Sequence, residues 1–599
     1  MPFMTTMGER SKSVIGVSGA SAIAAVLLLA AALRVAHVIA LRHLPLFDGL
    51  MLDSQTYDEW AQRIAAGDWL GGDSVFYMDP LYPYVLAVVY RCVGHDLLVV
   101  RLLQAALGVA TCALVVLIGC RIGGKVVGVT AALFVALSRP LIFEGGEIEK
   151  TALGVFLVTA SLALSIRTPV ASKFGAGVCL ALAVLTRANL LLLVPLGALY
   201  FLLDCEPGES CADPRGFARR WRERLTARAG RSAAAFLVGV VLMLGPVLWR
   251  NHHVSGEWIL TTSQMGTNFY TGNNPSNWSG TFSPVPFVRP SPRYEENDFQ
   301  AKAEAMTGKR LTPREVSAFW FREALAHIEH NPGFAAMVCV RKITLLCSDL
   351  EVADGWSMYF LEQYSPALRV ALFTFGWLPP LAILGVIGSF RRERSVRLLV
   401  GYVGAYGVTL IAFFVFSRYR AYVVPPLAIL AALGLRWLWD HARGGDWRHA
   451  IPGALAAVGV GAFSFVGAPT ILGFGPQDYV MNYAHLADLY ETRGDFNTAE
   501  ALLREGLRRQ PEAASILCGL GSLYLKTDDP KRALAYFAQC LKADAYYLDG
   551  WFLLGQAHEA LGNLEQAKSC YRQQLNIQPG HQFAAMCLQN LLSRMDTRP

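Results

Sequence analysis

The sequence is poor in charged residues. Asp, Glu, Lys and Arg make up 17% of its 599 residues, and 54% of the residues are hydrophobic. Soluble globular proteins carry roughly 25% charged residues, so this shortage excludes a wholly water-soluble chain. The net charge of +7 is explained by cytoplasmic loops, and we expect no nucleic acid as a partner. Much of the chain is expected to lie in the lipid bilayer.

The chain also lacks the cysteine spacings of metal sites and disulfide frameworks. Its twelve cysteines form no CxxC and no Cys/His pattern, which argues against zinc or a disulfide-stapled fold. Cys339 and Cys347 share one loop and can pair if that loop is extracytoplasmic. We expect instead that they are two free thiols.

Long apolar runs dominate the first 470 residues. A helix needs about 20 apolar residues to cross the hydrocarbon core, and the first run is too long for a cleaved signal peptide, so we expect it to remain as an anchor. The sequence predicts about eleven spans, at 14–41, 96–120, 126–143, 151–166, 174–187, 189–204, 232–249, 366–390, 398–416, 421–438 and 450–470.

The distribution of arginine predicts the orientation of these spans. Loop 205–231 contains seven arginines, and short Lys/Arg-rich loops face the cytoplasm. The N-terminus is then cytoplasmic, and four loops lie on the opposite side together with the C-terminal region. These outer loops are 42–95, 144–150, 250–365 and 417–420. We expect a multi-pass protein of the bacterial inner (plasma) membrane.

The predicted fold is all-α, a polytopic bundle of transmembrane helices followed by an α-solenoid. We divide the membrane part into an N-terminal core at 1–249, a large extracytoplasmic loop at 250–365 and C-terminal spans at 366–470. The core carries the outer loops 42–95 and 144–150. Residues 480–599 form the last domain.

That last domain shows a 34-residue period. Ala499, Ala533 and Ala567 are spaced by this interval, and so are two series of large residues, Leu486/Leu520/Leu554 and Leu503/Phe537/Tyr571. The pattern is typical of tetratricopeptide repeats. We predict repeats at 480–513, 514–547 and 548–581, with a capping helix at 582–595. Such repeats commonly bind a peptide or protein partner in their groove, and the alternative is a spacer.

Charged residues concentrate where spans meet the outer loops. Charges beside apolar spans are costly and therefore mark functional sites. We expect one cleft at the membrane surface, formed from four separate segments. The candidates are Asp48 and Asp53, then Glu144, Glu147, Glu149 and Lys150, then Arg187 and Asn189, and finally Arg418 and Arg420.

Each candidate also has a structural interpretation. Asp53 can cap a helix that starts near Tyr57, because Asp accepts backbone N–H bonds there. One of Arg418 and Arg420 can lie at the interface as an anchor. The segment Glu147–Lys150 fits a solvated turn as well as a site. The turn-rich stretch with Asn273 and Asn274 predicts a loop that binds donor or acceptor, or else a structural turn.

The order of several motifs resembles a known family. They are DSQTY after Asp53, DPLYPYVLAVVY at 79–90, FEGGEIEK at 143–150, LTRANLLL at 185–192, FYTGNNPSNWSGTF at 269–282 and FSRYRAYVVPPLAILAA at 416–432. Together they resemble the C superfamily of membrane glycosyltransferases (GT-C), in particular its protein O-mannosyltransferase and aminoarabinose-transferase-like branch. With the repeats added, the layout is similar to animal O-mannosyltransferases that modify cadherins. The chain departs from the protein O-mannosyltransferases in that Asp53 is followed by Ser54 rather than Glu.

The resemblance implies a sugar donor carried on polyprenyl or dolichyl monophosphate. An acidic residue would take the proton of the acceptor hydroxyl while the sugar is transferred with inversion. Asp53 is our candidate base, with Glu149 as the second acidic residue of the site. Lys150, Arg187, Arg418 and Arg420 are candidates for binding the phosphate, since arginine bonds phosphate in a bidentate manner.

No cofactor is required by this chemistry, although Asp53 and Glu149 offer an alternative site for a divalent metal ion. We expect the acceptor to be a protein or glycan hydroxyl on the extracytoplasmic side. Two other function classes remain, a polytopic transporter or flippase and a membrane-anchored repeat scaffold for envelope assembly. A transporter is expected to show inverted repeats, and the sequence before residue 470 shows no such internal symmetry. A third alternative is a ligase that uses a lipid-diphosphate donor.

Overall fold

The computed structural model describes residues 17–203, 228–282, 285–289, 291–391, 393–473, 475, 479–578 and 580–596. Among these residues every regular element is helical and no β-strand is formed. The chain divides into two compact units, a membrane unit (residues 1–41, 50–354 and 361–474) and a repeat unit (residues 42–49, 355–360 and 475–599). The all-helical fold class is therefore confirmed.

Six helices of the described residues are long and apolar enough to cross a membrane. The expected runs 96–120 and 126–143 share one of them, which is broken where Gly124 has a φ of 80°, a left-handed conformation that only glycine adopts readily. The six helices are Gly19–Arg42, Leu97–Ala136, Ala229–Ser255, Arg394–Ala412, Ser417–Arg443 and Trp447–Leu472.

The four other expected spans form shorter apolar helices. The expected spans 174–187 and 189–204 are separated around Arg187. Helix Val170–Val184 ends shortly before this residue, and a 3₁₀ turn, Ala188–Leu192, leads into helix Leu193–Leu202. The run 366–390 is split into helices Pro366–Val370 and Leu378–Ser389, and the run 151–166 forms helix Thr151–Ser165. The total of eleven spans stays a prediction, as does the orientation. Residues 205–227 of the arginine-rich loop lie outside the described residues.

Helices between the long apolar helices complete the membrane unit. Helix Pro313–His330 begins with a capping box, in which Thr312 and Glu315 each accept a hydrogen bond from the backbone N–H of the other. Trp320 of this helix is buried against Phe299. These helices are Leu52–Ala65, Leu81–Val93, Arg139–Gly146, Met265–Asn273, Pro292–Thr307, Pro313–His330 and Pro332–Cys347, and the short helix Ser417–Arg420 begins the long helical run Ser417–Arg443. The short helix Met358–Leu361 lies largely within residues 355–360 of the repeat unit.

The repeat unit contains three helix pairs and a final helix. The small and large residues of the 34-residue period, from Leu486 to Tyr571, are all buried, as tetratricopeptide packing requires. The helices are Met481–Thr492, Phe496–Arg509, Ala514–Lys526, Pro530–Ala543, Gly550–Ala560, Leu564–Ile577 and Gln582–Asp596. Residues 42–49 and 355–360, which lie far before the repeats in the sequence, also belong to the repeat unit. The sequence did not predict this assignment.

Candidate active site

Arg418 lies at the centre of a group of three carboxylates. Its Nη2 donates to Asp53 Oδ2 at 2.8 Å, and its Nη1 donates to Glu149 Oε1 at 2.9 Å. Nη2 also forms an ion pair with Asp354. The Arg418 side chain is only 11% exposed. We call these four residues the Arg418 cluster, and its formal charge is negative, because three carboxylates face one guanidinium.

Asp53 lies in the first turn of helix Leu52–Ala65 and is not its cap. The N-cap residue is Met51, and no side chain makes a capping hydrogen bond. The preceding residue, Leu52, has a φ of 51°, a left-handed conformation that costs a non-glycine residue about 1–3 kcal/mol. The capping interpretation of Asp53 therefore finds no support in the geometry.

Glu149 is the most enclosed carboxylate of the cluster. Burial raises the pKa of this carboxyl, although Arg418 opposes the shift. Glu149 Oε1 accepts from Arg418 and Oε2 accepts from the Lys150 backbone N–H at 3.2 Å. Both oxygens are thus occupied by protein groups. In contrast, the Asp53 side chain is 21% exposed, and within the described residues only its Oδ2 is hydrogen-bonded.

Lys150 pairs with an acidic residue that the sequence analysis did not single out. Its Nζ donates to Asp79 Oδ2 at 2.6 Å, and Asp79 Oδ1 accepts from the Ala188 backbone N–H at 3.1 Å. Burial would lower the pKa of Lys150, but Asp79 outweighs this effect and the net shift is upward. Asp79 therefore joins the segment after Glu149 to the segment after Arg187.

Arg187 is buried without an anionic partner among the described residues. Its guanidinium lies 3.7 Å from the centroid of the Tyr419 ring and 5.2 Å from that of Tyr422. Arg187 Nε and Nη2 have no hydrogen-bond partner in the described part of the chain. A buried donor without a partner is costly, so these two nitrogens are available to an anionic ligand.

Arg187 lines a cavity of about 740 Å³ in the membrane unit. Lys150 and Tyr419, which directly follow Glu149 and Arg418 in sequence, also line it, whereas the four residues of the Arg418 cluster are not among the lining residues. The buried Ser263 Oγ has no hydrogen-bond partner among the described residues. Other polar lining residues are Asp79, Asn189, Thr261, Thr262, Ser263, Gln264, Asn268, Arg314, Ser317, Arg322 and Thr409. The cavity offers both cations and hydroxyl-binding groups.

Arg420, two residues from Arg418, points to other partners. It donates to Glu351 Oε2 at 2.7 Å and to the backbone oxygens of Leu345, Ser348 and Leu350. It is 2% exposed and does not line the cavity. The structure therefore does not bring Arg420 to the Arg418 cluster.

Asn273 and Asn274 also lie apart from the cavity lining. Asn273 bonds the backbone oxygens of Phe269 and Ala412 and accepts from Lys342 Nζ at 2.9 Å. Asn274 closes a turn through the Thr271 oxygen and the Ser276 N–H. These contacts fit the structural alternative. Asp48 belongs to the repeat unit, and Cys339 and Cys347 are free thiols.

The sequence analysis missed Asp79 and Asp354 as site residues. Asp79 opens the motif DPLYPYVLAVVY, so its position just before helix Leu81–Val93 was a usable signal. Asp354 stands in a loop without a recognisable motif, and only the fold brings it to Arg418. Within the described residues, no group of three or more His, Cys, Asp or Glu side chains is arranged to hold a metal ion.

Comparison with known proteins gives matches in both units. Residues 79–212 match the family model described as dolichyl-phosphate-mannose-protein mannosyltransferase, and residues 485–547 and 524–589 match tetratricopeptide repeat models. Tetratricopeptide repeat protein 12 of Mus musculus is 32% identical over 87 residues, which are 14% of this chain and 12% of the mouse protein. A TPR repeat-containing protein of Pseudomonas aeruginosa is 34% identical over 79 residues, 13% of this chain and 75% of that protein.

A solved structure, ArnT from Cupriavidus metallidurans bound to undecaprenyl phosphate, is similar over 93% of this chain and 80% of that chain. The sequence identity is 14% and the TM-score is 0.41. The class that the fold and the comparisons define is an all-helical membrane protein with C-terminal tetratricopeptide repeats. More particularly, the chain belongs to the tetratricopeptide repeat proteins, and residues 79–212, ahead of its repeats, match the model described as dolichyl-phosphate-mannose-protein mannosyltransferase.

Proposed function

We propose that this protein transfers a sugar from a polyprenyl or dolichyl monophosphate to an acceptor hydroxyl, with inversion. The observation that carries the proposal is the cavity lined by Lys150 and Tyr419, the sequence neighbours of Glu149 and Arg418, which also contains a buried arginine without an anionic partner among the described residues. One side of the site is acidic and can take up a proton. The other side is cationic and can bind a phosphate.

Asp53 acts as the general base in this proposal. The acceptor oxygen attacks the anomeric carbon, the bond from that carbon to the phosphate oxygen breaks, and the acceptor proton passes to the Asp53 carboxylate. Asp53 suits the role better than Glu149, because its side chain is more exposed and its Oδ1 is not engaged by the described residues. Glu149 and Asp354 then hold Arg418 in place.

Arg187 and Lys150 bind the leaving phosphate. Arg187 offers two nitrogens without protein partners among the described residues, and a fixed guanidinium stabilises the charge that develops on the leaving group. Lys150 adds a second cation at the same cavity. Arg418 was also a candidate for phosphate binding. In the proposal it orients Asp53 instead, because both of its terminal nitrogens already contact carboxylates.

The remaining polar lining suits the sugar itself. Asn189, Ser263, Gln264 and Asn268 present amides and hydroxyls to the cavity, and such groups hydrogen-bond sugar hydroxyls. The family description names mannose on a dolichyl phosphate, so mannose on a polyprenyl phosphate is the first donor to test. The proposal needs no metal ion, and Asp53 with Glu149 stays the alternative site for a divalent ion.

We further propose that the site faces the extracytoplasmic side of a bacterial inner membrane. The acceptor is then a protein or glycan hydroxyl on that side, and the repeat groove binds a peptide or protein partner there. A reporter fused after residue 599 tests this orientation. Reporter activity confined to the cytoplasm would overturn it.

The donor class is tested with the purified full-length protein in lipid nanodiscs. We expect polyprenyl-phosphate mannose to be consumed with release of the lipid monophosphate, and added polyprenyl monophosphate to inhibit as a product. Arg187→Gln is expected to raise the donor KM by about tenfold or more, since a charge-assisted bond is lost. Arg397→Gln, which changes an exposed arginine, is the matched control. Consumption of a diphosphate-linked donor alone would contradict the proposal.

A further inference from the structure

Two short segments from the membrane half of the sequence belong to the repeat unit. They are residues 42–49 and 355–360. Each segment lies within four residues, along the chain, of a member of the Arg418 cluster. Asp354 immediately precedes the second segment, and Asp53 follows the first segment by four residues. No other part of the first 474 residues is assigned to the repeat unit.

The segment 355–360 is held by the first repeat helix, Met481–Thr492. Asn482 Oδ1 accepts from the Ser357 backbone N–H at 3.0 Å, and Asn482 Nδ2 donates to the Gly355 oxygen at 2.9 Å. Phe360 is fully buried and meets Tyr483 edge-on at 4.9 Å between ring centroids. Asn482 is itself 3% exposed. This buried side chain therefore bonds two backbone groups within three residues of Asp354.

The segment 42–49 is held by the same helix and the residue that follows it. Arg493 Nη2 lies 3.3 Å from both the Pro45 oxygen and Asp48 Oδ2. A Cβ added to Gly49 would lie 2.5 Å from Leu489 Cδ2, so glycine permits this close approach. Residues Pro45–Phe47 are buried. Both segments thus contact the same helix of the first repeat, Met481–Thr492.

The short chain distances make these attachments relevant to the carboxylates. Consecutive Cα atoms are about 3.8 Å apart, so a shift of Gly355 moves Asp354 almost directly. The backbone is also unusual at both places, with φ of 97° at Gly355 and 51° at Leu52. Glycine adopts such a φ readily, whereas at Leu52 the conformation persists only where the surrounding structure enforces it.

We propose that the first repeat is a positioning element for glycosyl transfer, in which Asn482 fixes Asp354 and thereby the guanidinium of Arg418. The inference rests on the proposed function, since it concerns the geometry of the same site. Asn482 is a positioning residue and touches no reacting atom. The repeat unit then serves the reaction itself, in addition to any partner that its groove binds.

The test compares Asn482→Ala with Gln574→Ala in the full-length protein. Gln574 is the matched control, because it is also buried in the repeat unit, at 2% exposure, and bonds a repeat backbone group, the Phe552 N–H. We expect Asn482→Ala to lower kcat by about 10- to 100-fold, the range expected for misplaced reacting groups, with the donor KM unchanged. Gln574→Ala is expected to keep the parental kcat.

A double-mutant cycle separates positioning from general damage. If Asn482 acts through Asp354, then Asn482→Ala lowers kcat little further in an Asp354→Asn background, because the two effects are not additive. Should Asn482→Ala fail to fold, Gly355→Ala tests the same segment, since alanine is strained at that φ. Parental kcat in Asn482→Ala, or the same fold-loss in both backgrounds, would overturn the inference.

Hydrogen exchange gives a result that does not depend on activity. Backbone amides of residues 350–360 are expected to exchange faster in Asn482→Ala than in Gln574→Ala. Unchanged exchange would overturn the positioning role even if the protein transfers no sugar. Faster exchange in a protein that transfers no sugar from any lipid-phosphate donor would instead contradict the proposed function and leave the attachment of the segment intact.

Discussion

Arg418 and Arg420 lie two residues apart in helix Ser417–Arg420, yet their surroundings differ. Arg418 contacts three carboxylates, from Asp53, Glu149 and Asp354. Arg420 contacts one carboxylate, Glu351, and three backbone oxygens. The first arrangement leaves excess negative charge around one guanidinium, and the second compensates one buried cation within the fold. A fold needs arrangements of the second kind, whereas excess buried charge is retained at functional sites.

The difference shows why charge and position along the chain are insufficient to assign a role. Both arginines were equal candidates for the phosphate, because they share one short outer segment. Their alternation along the helix turns them to opposite neighbours. The useful distinction is whether the positive charge of a buried arginine equals the total negative charge of the carboxylates that contact it.

The largest expected effect is the loss of transfer in Arg418→Gln. Without the guanidinium, three carboxylates face one another, which favours their protonation and removes the base. We expect the transfer rate to fall by about 10²–10⁴-fold, the usual contribution of a general base, while thermal unfolding shows a folded protein. Parental transfer by a correctly inserted variant would show that the cluster is not the active site.

The corresponding change at the second arginine is expected to act on stability. Arg420→Gln leaves Glu351 buried without its cation, which costs about 3–5 kcal/mol. Adding Glu351→Gln removes the uncompensated charge, and we expect the double variant to recover much of the lost stability. Denaturant unfolding in detergent measures both. A stable Arg420→Gln variant with a specific loss of donor binding would instead give Arg420 the role of phosphate ligand.

A smaller effect concerns the dependence of stability on pH. Burial raises the pKa of Glu144 to about 8, although the nearby Arg418 opposes the shift. The native protein then keeps a proton that the unfolded chain has released above about pH 5, so stability falls as the pH rises towards 8. Glu144→Gln is expected to remove this component of the pH dependence in thermal unfolding. The exposed Glu329→Gln is the control, and an identical pH profile for Glu144→Gln and the parent would contradict the burial of this carboxyl.

The fold was predictable from the sequence where the signal is periodic or long. Apolar runs such as 232–249 and the 34-residue repeat each depend on many residues, and single exceptions do not hide them. The attachment of residues 42–49 and 355–360 to the first repeat was not predictable, because it depends on a few buried contacts such as Asn482 with Gly355. The break at Arg187 was anticipated, since a charged and a polar residue interrupt the apolar run there.

The site was predictable only in part. Asp53, Glu149 and Arg418 come from three separate segments of the sequence, and the structure brings them together as the single-cleft hypothesis expects. Their roles stay predictions. Asp354 joins them from a loop whose sequence carries no period or motif, and Asn273 and Asn274 lie elsewhere because turn-forming residues serve structure and binding equally well.

The central claim is that the Asp53 carboxylate takes the acceptor proton. Asp53→Asn keeps the size of the side chain and most of its hydrogen bonds, and the measurement is the rate of sugar transfer at saturating donor, with and without chelator and added divalent ions. We predict a loss of about 10²–10⁴-fold with unchanged binding of the lipid-phosphate donor and no dependence on metal. Rescue by a metal ion would assign Asp53 to coordination, and full activity in Asp53→Asn would contradict the claim.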